Sequence, residues 1–285
     1  MAVPVTKRRS RPEQDAIEAL ELDLLLESVF REYGYDFRDY ARTSMRRRVW
    51  NIIRGEGLQT ISGLQERILH DQLAWERFLH GISVSVSAMF RDPHFFQAFR
   101  RRAVPILRTY PFIRIWQAGC SLGEEAYSLA ILLQEEGLYD RSLIYSTDIN
   151  ESTLRQAREG IYPADLMQKY TQNYILSGGQ RSFWEYYTAR YECAIMRPAL
   201  RQNIVFSQHN LVTDGPFNEF NVVLCRNVMI YFNRDLQERT HALLYHSLSV
   251  FGLLGLGSRE SMRFISLENH YEQLEPDEKL YRRTG

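Results

Sequence analysis

The sequence predicts an α/β protein: an all-helical N-terminal region followed by an open parallel sheet wound by helices. Three observations predict it. Residues from about Gln14 to Arg108 repeat apolar side chains at helical spacing. From Ile113 onward, short β-rich runs alternate with helical ones, the rhythm of a doubly wound parallel sheet. Between about Tyr170 and Phe206 that rhythm breaks at Gly178-Gly179 and "FWEYYTARYECAIM", which reads as a small β insertion. A chain of 285 residues has room for a helical domain and a larger α/β domain.

The elements follow in order. Residues 1–13 are basic, lack the apolar stretch of a secretion signal, and are expected to be a flexible tail. The helical domain is expected over 14–90. Its first helix is "AIEALELDLLLESVFREYG", ending at Gly34. The second, in "FRDYARTSMRRRVWNIIRGEG", stops at Gly55 and Gly57, with Met45, Val49, Ile52 and Ile53 on one apolar stripe. A third helix is expected across "TISGLQERILHDQLAWERFLHGI", capped by Thr60 or Ser62. A linker helix is placed in 91–112, with Asp92 as cap and Pro93 in its first turn. The sheet domain spans 113–285: "IRIWQA", "SLIYSTDI", "NEFNVVLCRN" and "GLLGLG" read as strands.

Composition excludes several classes. Net charge is zero, so the whole molecule is no polyanion binder. Cys120, Cys193 and Cys225 are far apart and make no metal-ligand spacing, so no metal and a reduced, cytoplasmic setting are expected. No run approaches the ~18 apolar residues of a membrane span, and no membrane insertion is expected.

Chemistry concentrates in "WQAGCSLGEEAYSLA", residues 116–130. Ligands of open parallel sheets lie beyond the carboxyl ends of the strands, at such a loop. The loop from Gly119 to Gly123 is not the G-x-G-x-x-G of a dinucleotide site, and Glu124 and Glu125 stand where a pyrophosphate would dock. Two carboxylates repel a phosphate by a few kcal/mol. A ligand with an adenosine-like body, no phosphate and a positive charge fits, and S-adenosylmethionine is one. Both glutamates also complement the positive end of a helix, and the loop alone leaves that reading open. Asp148 closes the second strand, where an acid bonds ribose hydroxyls in such folds.

Six blocks carry a resemblance: "VSVSAMFRDPHFF" (84–96), "WQAGCSLGEEAYSLA" (116–130), "STDINESTLRQAREGIY" (146–162), "HNL" (209–211), "FNVVLCRNVMIYFNRDLQ" (220–237) and "YRR" (281–283). In that order they resemble the blocks of CheR-type chemotaxis receptor glutamate O-methyltransferases. The resemblance implies a Rossmann-like S-adenosylmethionine-dependent methyltransferase domain with a small inserted β-subdomain, preceded by an all-helical domain. It implies S-adenosylmethionine as cofactor and S-adenosylhomocysteine as product, with transfer to receptor glutamates as γ-methyl esters. By motif position, Ser85, Ser87 and Arg91 would close over the cofactor, and the loop of Gly119 would hold it. Glu124 or Glu125 would contact its methionine or adenosine portion, and Asp148 its ribose. Asn210 and Leu211 would flank the adenine, Arg226 and Asn227 would line the pocket, and Tyr231 would stand near the methyl group. Beside Met89 in place of an aromatic, three departures stand out: Ser85-Val86-Ser87 for an N-x-T pattern, Leu122 for Thr, and Ser258 within "GSRES" where G-H-S-E-S is usual. They motivate a second reading, a receptor-binding adaptor with weakened catalysis.

No general base is needed for this reaction. A glutamate side chain, with a pKa of about 4.3, is already a nucleophile at neutral pH. The barrier is chiefly one of orientation, worth roughly 7–11 kcal/mol. Arg91 is the candidate for orienting a carboxylate through its bidentate fork, and Tyr231 for a hydrogen bond near the methyl. Arg42, Arg46, Arg47, Arg48 and Arg54 lie in the second helix. By resemblance that helix docks on the acidic coiled coil of a chemoreceptor. A plain solvated face is the alternative, and nucleic acid is disfavoured because few aromatic residues flank the arginines. The insertion is either an edge for a receptor C-terminal peptide or a simple flap. A monomer is expected.

Overall fold

The computed structural model describes residues 10–83, 87–263, 265–275 and 277–285. The chain divides into two compact units at Ile82/Ser83.

In the first unit, Ser10 and Glu13 form a capping box that starts α1 (Arg11–Tyr33), and Gly34, at φ 75°, ends it. The helix thus begins before the expected boundary at 14. α2 is Arg42–Gly55. The expected single third helix is two, α3 (Ile61–His70) and α4 (Gln72–Ile82), because Asp71 is extended and its carboxylate takes the Leu73 N–H instead. Leu25, Val29, Met45, Val49, Ile53, Ile61, Ile68 and Phe78 are buried and form the apolar interior of this unit. Arg48 does not belong to the solvent-facing set. It lies three residues from Met45 and beside Val49, is 7% exposed, and donates to the Ile82 carbonyl.

The second unit opens with α5 (Pro93–Ala98), a π turn (Phe99–Ala103) and α6 (Val104–Leu107). Pro105, which cannot donate and crowds the carbonyl four residues back, accounts for the widened turn. The main sheet holds β1 (Ile113–Ala118), β2 (Ser142–Asp148), β6 (Ile204–Gln208), β7 (Phe220–Cys225), β8 (Leu248–Leu256), β9 (Tyr271–Glu275) and β10 (Leu280–Arg283), in the order β6-β2-β1-β7-β8-β10-β9. The first five in that order run parallel, whereas β10 and β9 add an antiparallel edge, so the sheet is mixed rather than wholly parallel. Helices α7 (Glu124–Glu135), α8 (Glu151–Glu159) and α10 (Arg234–Ser247) connect these strands.

The insertion has other limits than expected. It is a three-stranded antiparallel sheet, β3 (Ile161–Pro163), β5 (Cys193–Met196) and β4 (Tyr187–Arg190), with α9 (Leu166–Leu176) between β3 and β4. Ile204–Gln208 returns to the main sheet beside β2. Because β1 has β2 on one side and β7 on the other, the chain reverses its direction of winding there, and a crevice opens at the carboxyl ends of β1 and β7.

Candidate active site

The glycine loop occupies that crevice. Gly119 (φ 78°) and Gly123 (φ 86°) sit in the left-handed region, and a Cβ on Gly119 would lie 2.4 Å from Val228 Cγ2. Ser121, also left-handed at φ 52°, donates its N–H to Asp148 Oδ2 at 2.9 Å. Asp148 Oδ1 accepts the Asn150 N–H at 3.0 Å. Burial raises the Asp148 carboxyl while these backbone donors pull it back. The acid at the end of β2 therefore braces the loop from below.

The two glutamates that open α7 have different surroundings. Glu125 pairs with Arg226, whose guanidinium also donates to Asp92 Oδ2 at 3.0 Å and to the Arg91 carbonyl at 3.3 Å, and lies 4.0 Å from the Phe95 ring centroid. Asp92 thus serves Arg226; its side chain does not cap α5, though Pro93 does occupy the first turn. Among the described residues Glu124 forms no ion pair. It is 2% exposed, the Tyr170 hydroxyl stands 3.4 Å from Oε1, and Oε2 has no hydrogen-bond partner among the described residues. Burial pushes its carboxyl up to about 7, against smaller opposing effects of its own backbone, Ser87 and Tyr170.

A turn after β7 forms the other wall. Asn227 is left-handed at φ 62°, and Met229–Tyr231 make a short 3-10 turn. The buried carboxylate of Glu260 accepts the N–H groups of Asn227 (2.9 Å), Val228 (2.8 Å), Met229 (2.8 Å) and Gly257 (2.6 Å).

Gly119, Glu124, Glu125, Asp148, Arg226 and Asn227 thus gather at one crevice, with Ser87 beside Glu124 and the Arg91 backbone against Arg226. Ser85 lies outside the described residues. Asn210 and Leu211 are half-buried in the loop after β6, which the His209 N–H ties to the Asp148 carbonyl at 3.1 Å. Asn210 itself organises that loop, accepting from the Val212 N–H at 3.0 Å. Tyr231 is half-buried at the end of its turn. Among the described residues no cluster of His, Cys, Asp and Glu could hold a metal ion.

Sequence reasoning missed Tyr170, Phe95 and Glu260. The signal for Glu260 was its match to the glutamate of the G-H-S-E-S pattern, to which no role was attached, and Tyr170 lies in a stretch with no motif. In the first unit, Arg42 pairs with Asp23, and Arg46 with Glu18 (2.6 Å) and Asp15 (3.1 Å); Arg47 and Arg54 are exposed.

Residues 85–280 match the family model described as CheR methyltransferase, SAM binding domain, and residues 20–83 the CheR methyltransferase, all-alpha domain. The chain is 48% identical to Cher3 of Pseudomonas putida over 93% of its own length and 97% of that protein's. It is 29% identical to the chemotaxis protein methyltransferase of Listeria innocua, over 82% of this chain and 87% of that one. For the chemotaxis protein methyltransferase of Salmonella typhimurium the figures are 28%, 82% and 81%.

Proposed function

The chain belongs to the CheR methyltransferase family, and from that premise we propose that it methylates glutamate side chains of chemoreceptors, using S-adenosylmethionine and releasing S-adenosylhomocysteine. The single observation that carries this reading is the buried Glu124, which has no ion pair and no partner for Oε2 among the described residues. A buried charge without a partner costs several kcal/mol, and a ligand bearing a positive charge would relieve it. Glu125 cannot play that part, because Arg226 already neutralises it.

S-adenosylmethionine supplies a methyl group already activated on a positively charged sulfur. The residues present fit it. Gly119 lets the loop turn tightly against Val228, Glu124 offers the anion, Asp148 stands at the strand end suited to ribose hydroxyls, and Asn210 and Leu211 lie beside that position. Arg226 and Asn227 line the opposite wall. Arg91 and Tyr231 would orient the incoming carboxylate, which needs placement and dryness rather than a base.

Two of the departures from the family pattern leave this reading standing. Leu122 takes part through its carbonyl, which accepts the Tyr162 hydroxyl at 2.9 Å, while its side chain packs on the core. Ser258 lies two residues before Glu260, which keeps its four backbone bonds. An active enzyme is therefore favoured over an adaptor, and calorimetry with S-adenosylmethionine separates them: micromolar binding is expected, and absence of heat would favour the adaptor.

Recognition of the acidic receptor coiled coil falls to α2 through Arg42, Arg46, Arg47 and Arg54. The β insertion, whose β4 is an open edge strand, is available to a receptor C-terminal peptide. The decisive experiment is transfer of labelled methyl groups to membranes carrying the organism's own receptors. Base-labile release of methanol is expected; label that resists base, or that resides on another class of molecule, refutes the reading.

A further inference from the structure

We propose that Glu260 is a positioning residue for methyl transfer, its carboxylate fixing the turn that carries Arg226, Asn227 and Tyr231. This rests on the function proposed above. The carboxylate is 5% exposed and, among the described residues, forms no ion pair; its partners are backbone N–H groups. Oε1 holds Val228 and Met229, and Oε2 holds Asn227 and Gly257. Four charge-assisted bonds on one buried side chain leave it no capacity for a ligand. This distinguishes it from Glu124, which has an oxygen to spare. Glu260 shapes the site without touching what binds there.

What it shapes is specific. The first N–H groups of a helical turn have no partner within the turn, and a side-chain acceptor normally supplies one from the preceding residue. Here the acceptor for Met229–Tyr231 arrives from the far end of β8, some thirty residues on. It holds Asn227 in the left-handed conformation that Asn tolerates better than most residues. It also holds Val228, whose methyl group presses on Gly119 so closely that a Cβ there would lie 2.4 Å away. One carboxylate thereby sets the distance between the two walls of the crevice. Gly257 belongs to the same device: a Cβ on it would lie 2.7 Å from the Asn227 nitrogen and 2.8 Å from Glu260 Oε2.

The test is Glu260→Gln in the full-length protein, which keeps the shape but turns an NH2 toward backbone donors. At 20 °C, S-adenosylhomocysteine binding by calorimetry is expected to weaken about tenfold. The turnover number is expected to fall about 100-fold, as for a misplacement near 1 Å, with KM for a receptor fragment unchanged. Leu244→Ala, in the buried face of α10, supplies a comparable loss of stability away from the crevice. If Glu260→Gln binds and turns over within twofold of the parent, or if both variants lose turnover in proportion to stability, Glu260 does not position the site. Should the Gln variant not fold, Gly257→Ala, which pushes Oε2 aside, is expected to show the same split, and an unchanged affinity refutes the proposal. The affinity measurement involves no receptor, so a failure of receptor methylation in the parent protein would strike the functional reading and leave this one decidable.

Discussion

Glu124→Gln offers the sharpest test of the electrostatics. The Glu124 carboxyl titrates at about 7 in the folded protein, against an ordinary value of 4.5, and the dominant cause is burial. The folded state therefore holds this proton more tightly than the unfolded chain does. Below pH 4.5 both states are protonated and the group is neutral to stability. Between 4.5 and 7 the unfolded chain releases its proton first, and stability falls as pH rises; above 7 the full cost is present. A separation of about 2.5 pH units corresponds to about 3 kcal/mol. Glutamine has the same shape and never ionises. Urea denaturation of both proteins at pH 5, 6, 7 and 8 should show the parent losing about 2.5 kcal/mol relative to the variant across that range, the rest having been lost below pH 5. The variant should be the more stable at pH 8 and the poorer binder of S-adenosylmethionine. A stability difference that stays flat within about 0.5 kcal/mol would mean that Glu124 is solvated or paired, and the argument for a cationic ligand would go with it.

Other outcomes follow from the same geometry. At pH 7 a half-protonated Glu124 should release about half a proton when S-adenosylmethionine binds, visible as a buffer-dependent binding enthalpy. Gly119→Ala, strained by its positive φ and by Val228, should destabilise the protein by about 1–3 kcal/mol and weaken cofactor binding; chemical denaturation and calorimetry read both. Joint Arg47→Glu and Arg54→Glu should abolish receptor methylation with S-adenosylhomocysteine affinity unchanged. Arg48→Glu should instead unfold the helical unit, by about 3 kcal/mol or more, which loss of far-ultraviolet circular dichroism on heating would reveal. His241, buried in α10, has its pKa lowered to about 4 by burial. The unfolded chain takes up that proton first, so stability should drop as pH falls from 6.5 through 4, and His241→Gln should flatten that limb in a pH series of thermal melts.

Much of the fold was legible because its signals are local. Helical spacing marked α1 and α2, Gly34 marked an end, and alternation of β-rich and helical runs marked the main sheet. The errors fell where long-range partners decide. "IVFSQ" looks alike as part of an insertion or of the main sheet, and only pairing with β2 assigns it. Asp71 interrupts a helix whose apolar pattern runs straight through the break. Arg48 reads as one of a run of exposed cations because a sequence cannot show that the Ile82 carbonyl lies within its reach.

The site divides along the same line, and for a physical reason. Strand-end motifs supply residue types, but the chemistry of a charged group depends on which opposite charge it meets. Glu124 and Glu125 are adjacent, equivalent in composition and both buried, so sequence leaves either as the anion for a cofactor. The choice is made by Arg226, about a hundred residues away, which spends its charge on Glu125 and Asp92. Glu260 is saturated by four backbone donors, and Asp148 holds one backbone donor on each oxygen with acceptor capacity left for ribose hydroxyls. Of the carboxylates around this crevice, Glu124 alone is left with an unsatisfied buried oxygen among the described residues. A site that gives each of its other acids a cation or backbone donors on both oxygens while leaving one oxygen of Glu124 without a partner is arranged for a ligand that brings its own positive charge, and that arrangement is what the pH dependence of Glu124→Gln would measure.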